Sequence, residues 1–320
     1  MTELNMLHMQ LSGALKTLEA ERREHTGCVK KSMAVLGGTL ALVTLFTFLR
    51  YGTWLYGIAS AILALLIVLV IASRQKNRFV ARFKALVMPD LVRALGKDLN
   101  YCPADYLDSD EFCECGLFIS PDRYCGSDLV EGYAGETQVR FSLVHAEEEY
   151  TVTETITDTD SDGHTTTRTE TRTEYRTIFC GLLFSADCNK SFYGRTLVTS
   201  GGSNFLSRMK SSFVSLEDPR FNEKFTVYGS DQVEARYLLT PSLMERILEL
   251  RSRTGSGLQL SFVNDRLYLA VPMGMNTFTP SLWRPIDDLG AFAGYYNTLC
   301  FMIGLVDDLN LNTRIWSKHA

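Results

Sequence analysis

Histidine is scarce and scattered in this chain of 320 residues: His8, His25, His145, His164 and His319 fall in five separate stretches. Such spacing supports no Cys/His or Ser/His/Asp arrangement, and with it goes the usual sequence signal for nucleophilic catalysis. The eight cysteines are Cys28, Cys102, Cys113, Cys115, Cys125, Cys180, Cys188 and Cys300. Cys113-x-Cys115 with Cys125, and Cys180 with Cys188, fit no common zinc knuckle and have no histidine close in sequence. Small buried thiols are expected there, without metal and without a disulfide framework. Gly201-Gly202-Ser203-Asn204 lacks the lysine and helix context of a phosphate loop and reads as a turn. No acidic or basic tail dominates, and the net charge of −5 is modest, so nucleic acid is not an expected partner. No catalytic residue and no cofactor is expected.

Charge is missing from two long runs. Residues 33–49 and 54–72 contain no charged side chain and are separated only by Arg50, Tyr51, Gly52 and Thr53. At 1.5 Å rise per residue they reach roughly 26 and 28 Å, near the hydrocarbon thickness of a bilayer. The pair reads as a transmembrane helical hairpin. A buried soluble hairpin is the bland alternative, but such helices seldom lack charge on every face. A secretory signal is disfavoured, because the first run starts at residue 33, shows no small-residue cleavage site and is followed at once by the second. An uncharged hairpin also lacks the cavity-facing ionisable group of a transport pathway, so it reads as an anchor.

Arg22, Arg23, Lys30 and Lys31 precede the hairpin and Arg74, Lys76, Arg78, Arg82 and Lys84 follow it. The positive-inside rule then places both termini in the cytoplasm and the connecting turn on the far side, with Tyr51, Trp54 and Tyr56 at the outer interface. Lys30, Lys31, Arg74, Lys76, Arg78 and Arg82 are candidates for contact with lipid headgroups. Ala34, Gly37, Gly38, Ala41, Gly57 and Ala61 recur at the spacing that lets helices approach closely in lipid, against the alternative of ordinary small-residue usage.

Leu4, Leu7, Leu11, Ala14 and Leu18 occupy a and d positions of two heptads, so residues 1–31 read as a short amphipathic helix. The second span is expected to continue as a basic helix to about Met88, break or kink at Pro89 and resume over residues 90–99. Period-two runs at 112–120, 128–132 and 138–149 read as strands. Residues 147–177 alternate Thr with Glu and Arg. If Asp162-Gly163 makes a two-residue turn, Phe141 falls opposite Phe184, Leu143 opposite Leu182, Glu149 opposite Arg176, Tyr150 opposite Tyr175 and Thr153 opposite Arg172. That register predicts a long β-ribbon over residues 146–178, with Glu149, Arg172 and Arg176 in cross-strand contact and a polar tip in solvent or on another subunit. Asp158, Asp160 and Asp162-Gly163 resemble the start of a calcium loop, but position twelve is Thr169 where a glutamate is needed and the flanks are strand-forming.

Further on, a strand is expected over residues 225–227. Thr240 and Pro241 open a helix ended by Gly255, residues 258–263 and 266–271 form a hairpin around Asn264-Asp265, and Pro285 opens a buried last helix. Asp231, Glu234 and Arg236 gather polar groups just before the Thr240 helix, either as an anion site or as a capping and ion-pair network. The expected class is α+β: an N-terminal helix (1–31), a two-helix transmembrane hairpin (32–73), a juxtamembrane basic helix (74–100) and a cytoplasmic mixed domain (101–320) with antiparallel sheet, long ribbon and packed helices.

Phe179-Cys180-Gly181-Leu182-Leu183-Phe184 with Ala186-Asp187-Cys188-Asn189-Lys190, and Val227-Tyr228-Gly229-Ser230-Asp231-Gln232-Val233-Glu234-Ala235-Arg236 running on to Pro241, resemble the bacterial membrane proteins called domain of unknown function 3137. The resemblance covers most of residues 101–311 and brings no reaction with it. It implies an envelope assembly shared with LemA-like membrane proteins. The favoured reading is a non-enzymatic membrane scaffold or adaptor that forms a homo-oligomer; the alternative is a membrane-tethered sensor or enzyme using Asp231, Glu234 and Arg236. Calorimetric titration with calcium is expected to give no saturable heat, because the loop lacks its bidentate ligand.

Overall fold

The computed structural model describes residues 2–51, 55–96, 98–159, 165–188, 192–200, 212–255 and 257–309. The turn at Gly52-Thr53, Trp54, the Asp160, Asp162-Gly163 and His164 segment, Asn189, Lys190, Gly201-Gly202-Ser203-Asn204 and His319 lie outside them. The chain divides into two units, Met1–Leu95 with Phe278–Cys300, and Gly96–Thr277 with Phe301–Ala320.

The first unit is helical. Its α1 runs unbroken over Thr2–Tyr51, about 75 Å, and joins the expected amphipathic segment to the first apolar run without interruption. The reason is local: no proline precedes Pro89, and the charged stretch 19–24 consists of strong helix formers. Helix α2 spans Leu55–Leu86 and α3 spans Met88–Leu95. Pro89 sits in the first turn of α3, where its missing N–H costs nothing. The helix stops at Leu95, short of the expected residue 99, because Gly96 follows and residues 99–102 pair in a sheet.

Two environments follow along α1 and α2. Leu7, Leu11, Leu15, Leu18, Phe79, Phe83, Leu282, Ile286, Phe292 and Leu299 are buried in this unit. Leu42, Leu45, Phe46, Leu49, Ile58, Ile62, Leu63, Leu66 and Leu69 instead present their side chains outward. The buried hairpin of a soluble protein would do the reverse. Two helices, within Leu4–Arg50 and Tyr56–Leu95, are long and apolar enough to cross a membrane.

One buried carboxylate closes the packed end. Glu19, 4% exposed, accepts from Arg22 Nε and Nη2 (both 2.7 Å), Arg23 Nε (2.9 Å) and the Ile286 backbone N–H (3.3 Å). Arg22 Nη1 donates to the Leu282 carbonyl at 2.9 Å. Segment 278–300 is thus tied to α1 by polar bonds as well as by the edge contact of the His8 and Phe292 rings, 5.3 Å between centroids.

The second unit carries a nine-stranded antiparallel sheet: β1 Leu99–Cys102, β2 Arg123–Ala134, β3 Thr137–Thr159, β4 Thr165–Asp187, β5 Thr196–Thr199, β6 Ser212–Phe213, β7 Thr226–Gly229, β8 Gln259–Val263 and β9 Arg266–Pro272. Its order is β1-β2-β3-β4-β9-β8-β5-β7-β6. Val139, Phe141 and Leu143 are buried on one face of β3 while Ser142, Val144 and Ala146 are buried on the other, so the centre of the sheet is covered on both sides. Asn264 and Asp265 both take positive φ (52° and 59°), as a tight hairpin turn between right-twisted strands requires.

Helices α4 Ser109–Glu114, α5 Pro219–Lys224, α6 Gln232–Leu238 and α7 Pro241–Thr254 belong to this unit, and α8 Leu289–Asp308 contributes to both. The expected strand at 112–120 is instead the end of α4, up to Glu114, followed by irregular chain over 115–120. Asp108 caps it by accepting from Glu111 N at 2.8 Å, and Asp110 and Glu111 sit in its first turn, where carboxylates favour a helix start. Cys113 and Cys115 therefore do not share a strand face: Cys113 is exposed and Cys115 buried, its thiol pushed up to about 12 by burial. Pro285 precedes α8 by four residues instead of opening it.

Arg22 and Arg23 hold the Glu19 carboxyl at about 2, against burial, which acts in the opposite direction. A depressed carboxylate contributes stability that is complete above about pH 4.5 and is lost as pH falls toward 2. Glu19→Gln is expected to destabilise the helical unit by about 3 kcal/mol at pH 7, since it leaves the Arg22 charge buried and unpaired. The gap between variant and wild type should narrow as pH falls from about 4.5 toward 2, read as denaturation midpoints in detergent.

Candidate functional site

The polar motif before α7 resolves into three separate tasks. Asp231 is the N-cap of α6 and its Oδ1 accepts from Val233 N (2.7 Å) and Glu234 N (3.2 Å). Glu234 reaches to another segment, its two oxygens accepting from Tyr193 N (2.8 Å) and Gly194 N (2.7 Å). The fit is close: a Cβ on Gly194 would lie 2.1 Å from Glu234 Oε2. Arg236 donates to the Ser215 carbonyl and to Gln232 Oε1 at 3.4 and 3.5 Å. The three side chains are not partners of one another. The helix-start N–H groups that an anion would use are already occupied by the chain's own carboxylate.

Arg236 lines a cavity of about 610 Å³ together with Glu217, Asp218, Arg220, Met244 and Glu245. Arg220 holds the Asp218 carboxyl below its usual range and pairs with it at 3.3 Å. Asp218 also caps α5 through Arg220 N at 2.8 Å. Among the described residues no group of three or more His, Cys, Asp or Glu side chains could hold a metal ion. The Glu234 clamp was invisible in the sequence, because its partners lie 40 and 41 residues away. The α4 cap, by contrast, had a signal in Asp108 followed three residues later by Glu111.

The ribbon is present in a changed register. Phe141 opposes Phe184 and Leu143 opposes Leu182, as expected. Between Ala146 and Glu147 the register shifts, because Ile178 is an extra residue on β4. Beyond it Glu148, not Glu149, opposes Arg176; Tyr150 opposes Glu174 and Thr153 opposes Thr171. The expected pairings of Glu149 with Arg176, Tyr150 with Tyr175 and Thr153 with Arg172 are corrected accordingly.

The shift sorts the ribbon by chemistry. On one face Arg176 pairs with Glu148 (2.5 Å), Arg172 with Glu154 (3.3 Å) and Glu174 (2.8 Å), and Arg168 with Glu170 (3.0 Å). On the other face Thr151 opposes Thr173, Thr153 opposes Thr171 and Thr155 opposes Thr169, all exposed. One face is a self-satisfied ladder of charges, the other a neutral threonine surface. Glu149 stands at the base and accepts from Tyr175 Oη at 3.1 Å.

In the helix pair, Gly57 is buried against Thr44, whose Cγ2 lies 2.8 Å from where a Gly57 Cβ would be. Ala61 is half-buried, while Ala34, Gly37, Gly38 and Ala41 are exposed. Lys30, Lys31, Arg74, Lys76, Arg78 and Arg82 are all exposed. Arg82 is engaged with Glu21 at 3.0 Å.

These features define a chain with two long apolar helices and an α+β unit with a projecting ribbon. Residues 177–311 match the model of a family described as protein of unknown function, DUF3137. No curated protein matches the chain. A solved structure, the mycobacterial trehalose monomycolate transport factor A, TtfA, is similar with a TM-score of 0.34 and 8% identity, covering 66% of this chain and 91% of that one. A likeness of that size carries no argument about this chain's fold or ligand.

Asp231→Ala is expected to cost about 1 kcal/mol through loss of the α6 cap. Glu234→Ala is expected to cost about 2 kcal/mol, because two backbone donors lose a charged acceptor. Urea denaturation followed by tryptophan-independent far-UV circular dichroism checks both, and near-equal effects from Arg236→Ala would contradict the assignment of separate tasks.

Proposed function

We propose that the protein is a non-enzymatic integral membrane scaffold that forms a homo-oligomer at the cytoplasmic face of a bacterial inner membrane. The observation that carries this reading is the pair of uncharged helices whose large apolar side chains face outward. Such a surface is stable in hydrocarbon and costly in water. The basic flanks support two membrane passes with both termini in the cytoplasm.

Two unpartnered surfaces support assembly. Ala34, Gly37, Gly38 and Ala41 leave a shallow exposed strip on α1 of the kind that packs against another helix in lipid. The threonine face of the ribbon is exposed, neutral and β-branched, which supports pairing with a second copy of itself. A LemA-like envelope protein is the partner that the family resemblance implies. The alternative, a sensor or enzyme at Asp231, Glu234 and Arg236, is weaker because two of the three side chains are committed to backbone N–H groups.

The test is purification of the full chain from membranes in mild detergent, with mass measured by light scattering. An oligomer of defined size is expected. Paired substitutions Thr153→Lys and Thr171→Lys, or Gly38→Leu, should lower the oligomeric fraction severalfold without changing membrane insertion. A monodisperse monomer with no co-purifying protein would overturn the scaffold reading.

A further inference from the structure

We infer that a groove between α1 and α2 is a binding site for one anionic phospholipid, an inference that rests on the membrane reading above. The groove encloses about 690 Å³, within the range of sites for small amphiphiles. Its lining changes chemistry along the helix axis. Arg23, Glu24 and Lys31 line one end, and Val35, Ile67 and Ile71 line the other. Lys31 is the last ionisable residue of α1 before Arg50, and Ile71 lies three residues before Arg74. The change from charge to hydrocarbon therefore occurs within about one helical turn, near 6 Å. A phospholipid makes the same change between its phosphate and the start of its acyl chains.

Charge decides the class of headgroup. Arg23 already donates to Glu19 at 2.9 Å, and Glu24 is the groove's own carboxylate. Lys31 has no ion pair and no hydrogen bond among the described residues. An exposed ammonium at the edge of an apolar wall attracts an anionic headgroup. The floor is open because Gly27 has no side chain: a Cβ there would meet no atom within 4 Å. The groove lies beside a polar clasp in which His25 Nδ1 and Gln75 Oε1 are 2.6 Å apart and Gln75 Nε2 donates to Cys28 Sγ at 3.4 Å. That clasp holds the two helices at this level.

The test uses the full chain in mild detergent supplemented with phosphatidylglycerol or phosphatidylcholine, with bound lipid read by native mass spectrometry. Wild type is expected to retain about one phosphatidylglycerol per chain, with at least tenfold preference over phosphatidylcholine. Gly27→Leu, which fills the floor with a better helix former, and Lys31→Glu should each lower retention about tenfold, while Lys16→Glu, exposed on α1 and outside the groove, should not. Equal retention of the two lipids, or equal loss in Lys16→Glu and Lys31→Glu, overturns the inference. Alkaline extraction of membranes separates the two readings. Protein in the pellet without preferential lipid removes the groove alone, and protein in the supernatant removes the membrane reading and the groove together.

Discussion

An uncharged helix surface cannot be left in water, and the first unit follows from that constraint. Helices α1 and α2 carry long stretches in which neither face offers a charge, and those stretches point leucine, isoleucine and phenylalanine outward. Up to Leu18 on α1 and from Arg74 on α2, the same helices bury their apolar side chains, Leu7, Leu11, Leu15, Leu18, Phe79 and Phe83, in a unit where Leu282, Ile286, Phe292 and Leu299 are buried too. One continuous helix thus presents two kinds of surface. Glu19 stands in the packed half and not in the apolar half, since a carboxylate taken from water needs its arginines and a backbone donor beside it.

The second unit depends on a single extra residue. Ile178 shifts the outer ribbon by one position, and with a side-chain period of two, that shift moves every β4 side chain to the other face relative to β3. In the unshifted register each face would mix threonine with charge. In the observed one Arg176, Arg172 and Arg168 find glutamates on their own side and threonine meets threonine on the other. The ladder satisfies its own charges, which leaves the neutral face as the surface with unmet contacts.

The polar motif shows why a cluster in sequence is not a cluster in function. Asp231 and Glu234 are close along the chain, yet one caps a helix and the other holds the 193–194 backbone. Their shared role is structural: both satisfy backbone donors that the sheet and α6 leave open. Arg236 lines the mixed-charge cavity beside α5 and α7.

What the sequence determined by itself is local. The uncharged runs, the Thr240 cap with Pro241, the Gly255 stop and the Asn264-Asp265 turn each depend on a residue's own conformational preference or on its neighbours within a few positions, and each is found where the spacing indicates. The inner ribbon pairs, Phe141 with Phe184 and Leu143 with Leu182, were legible for the same reason, since burial on alternate residues leaves one register. The α4 helix was masked by a strand-like apolar run, although Asp108 and Glu111 carried its start signal. Only the tertiary structure decided the bulge at Ile178, the Glu234 clamp, the burial of Glu19 against Ile286 and the groove over Gly27. Each of these joins groups 30 to more than 260 residues apart or depends on which helix faces come together, and no period or cap in a single segment encodes such a meeting.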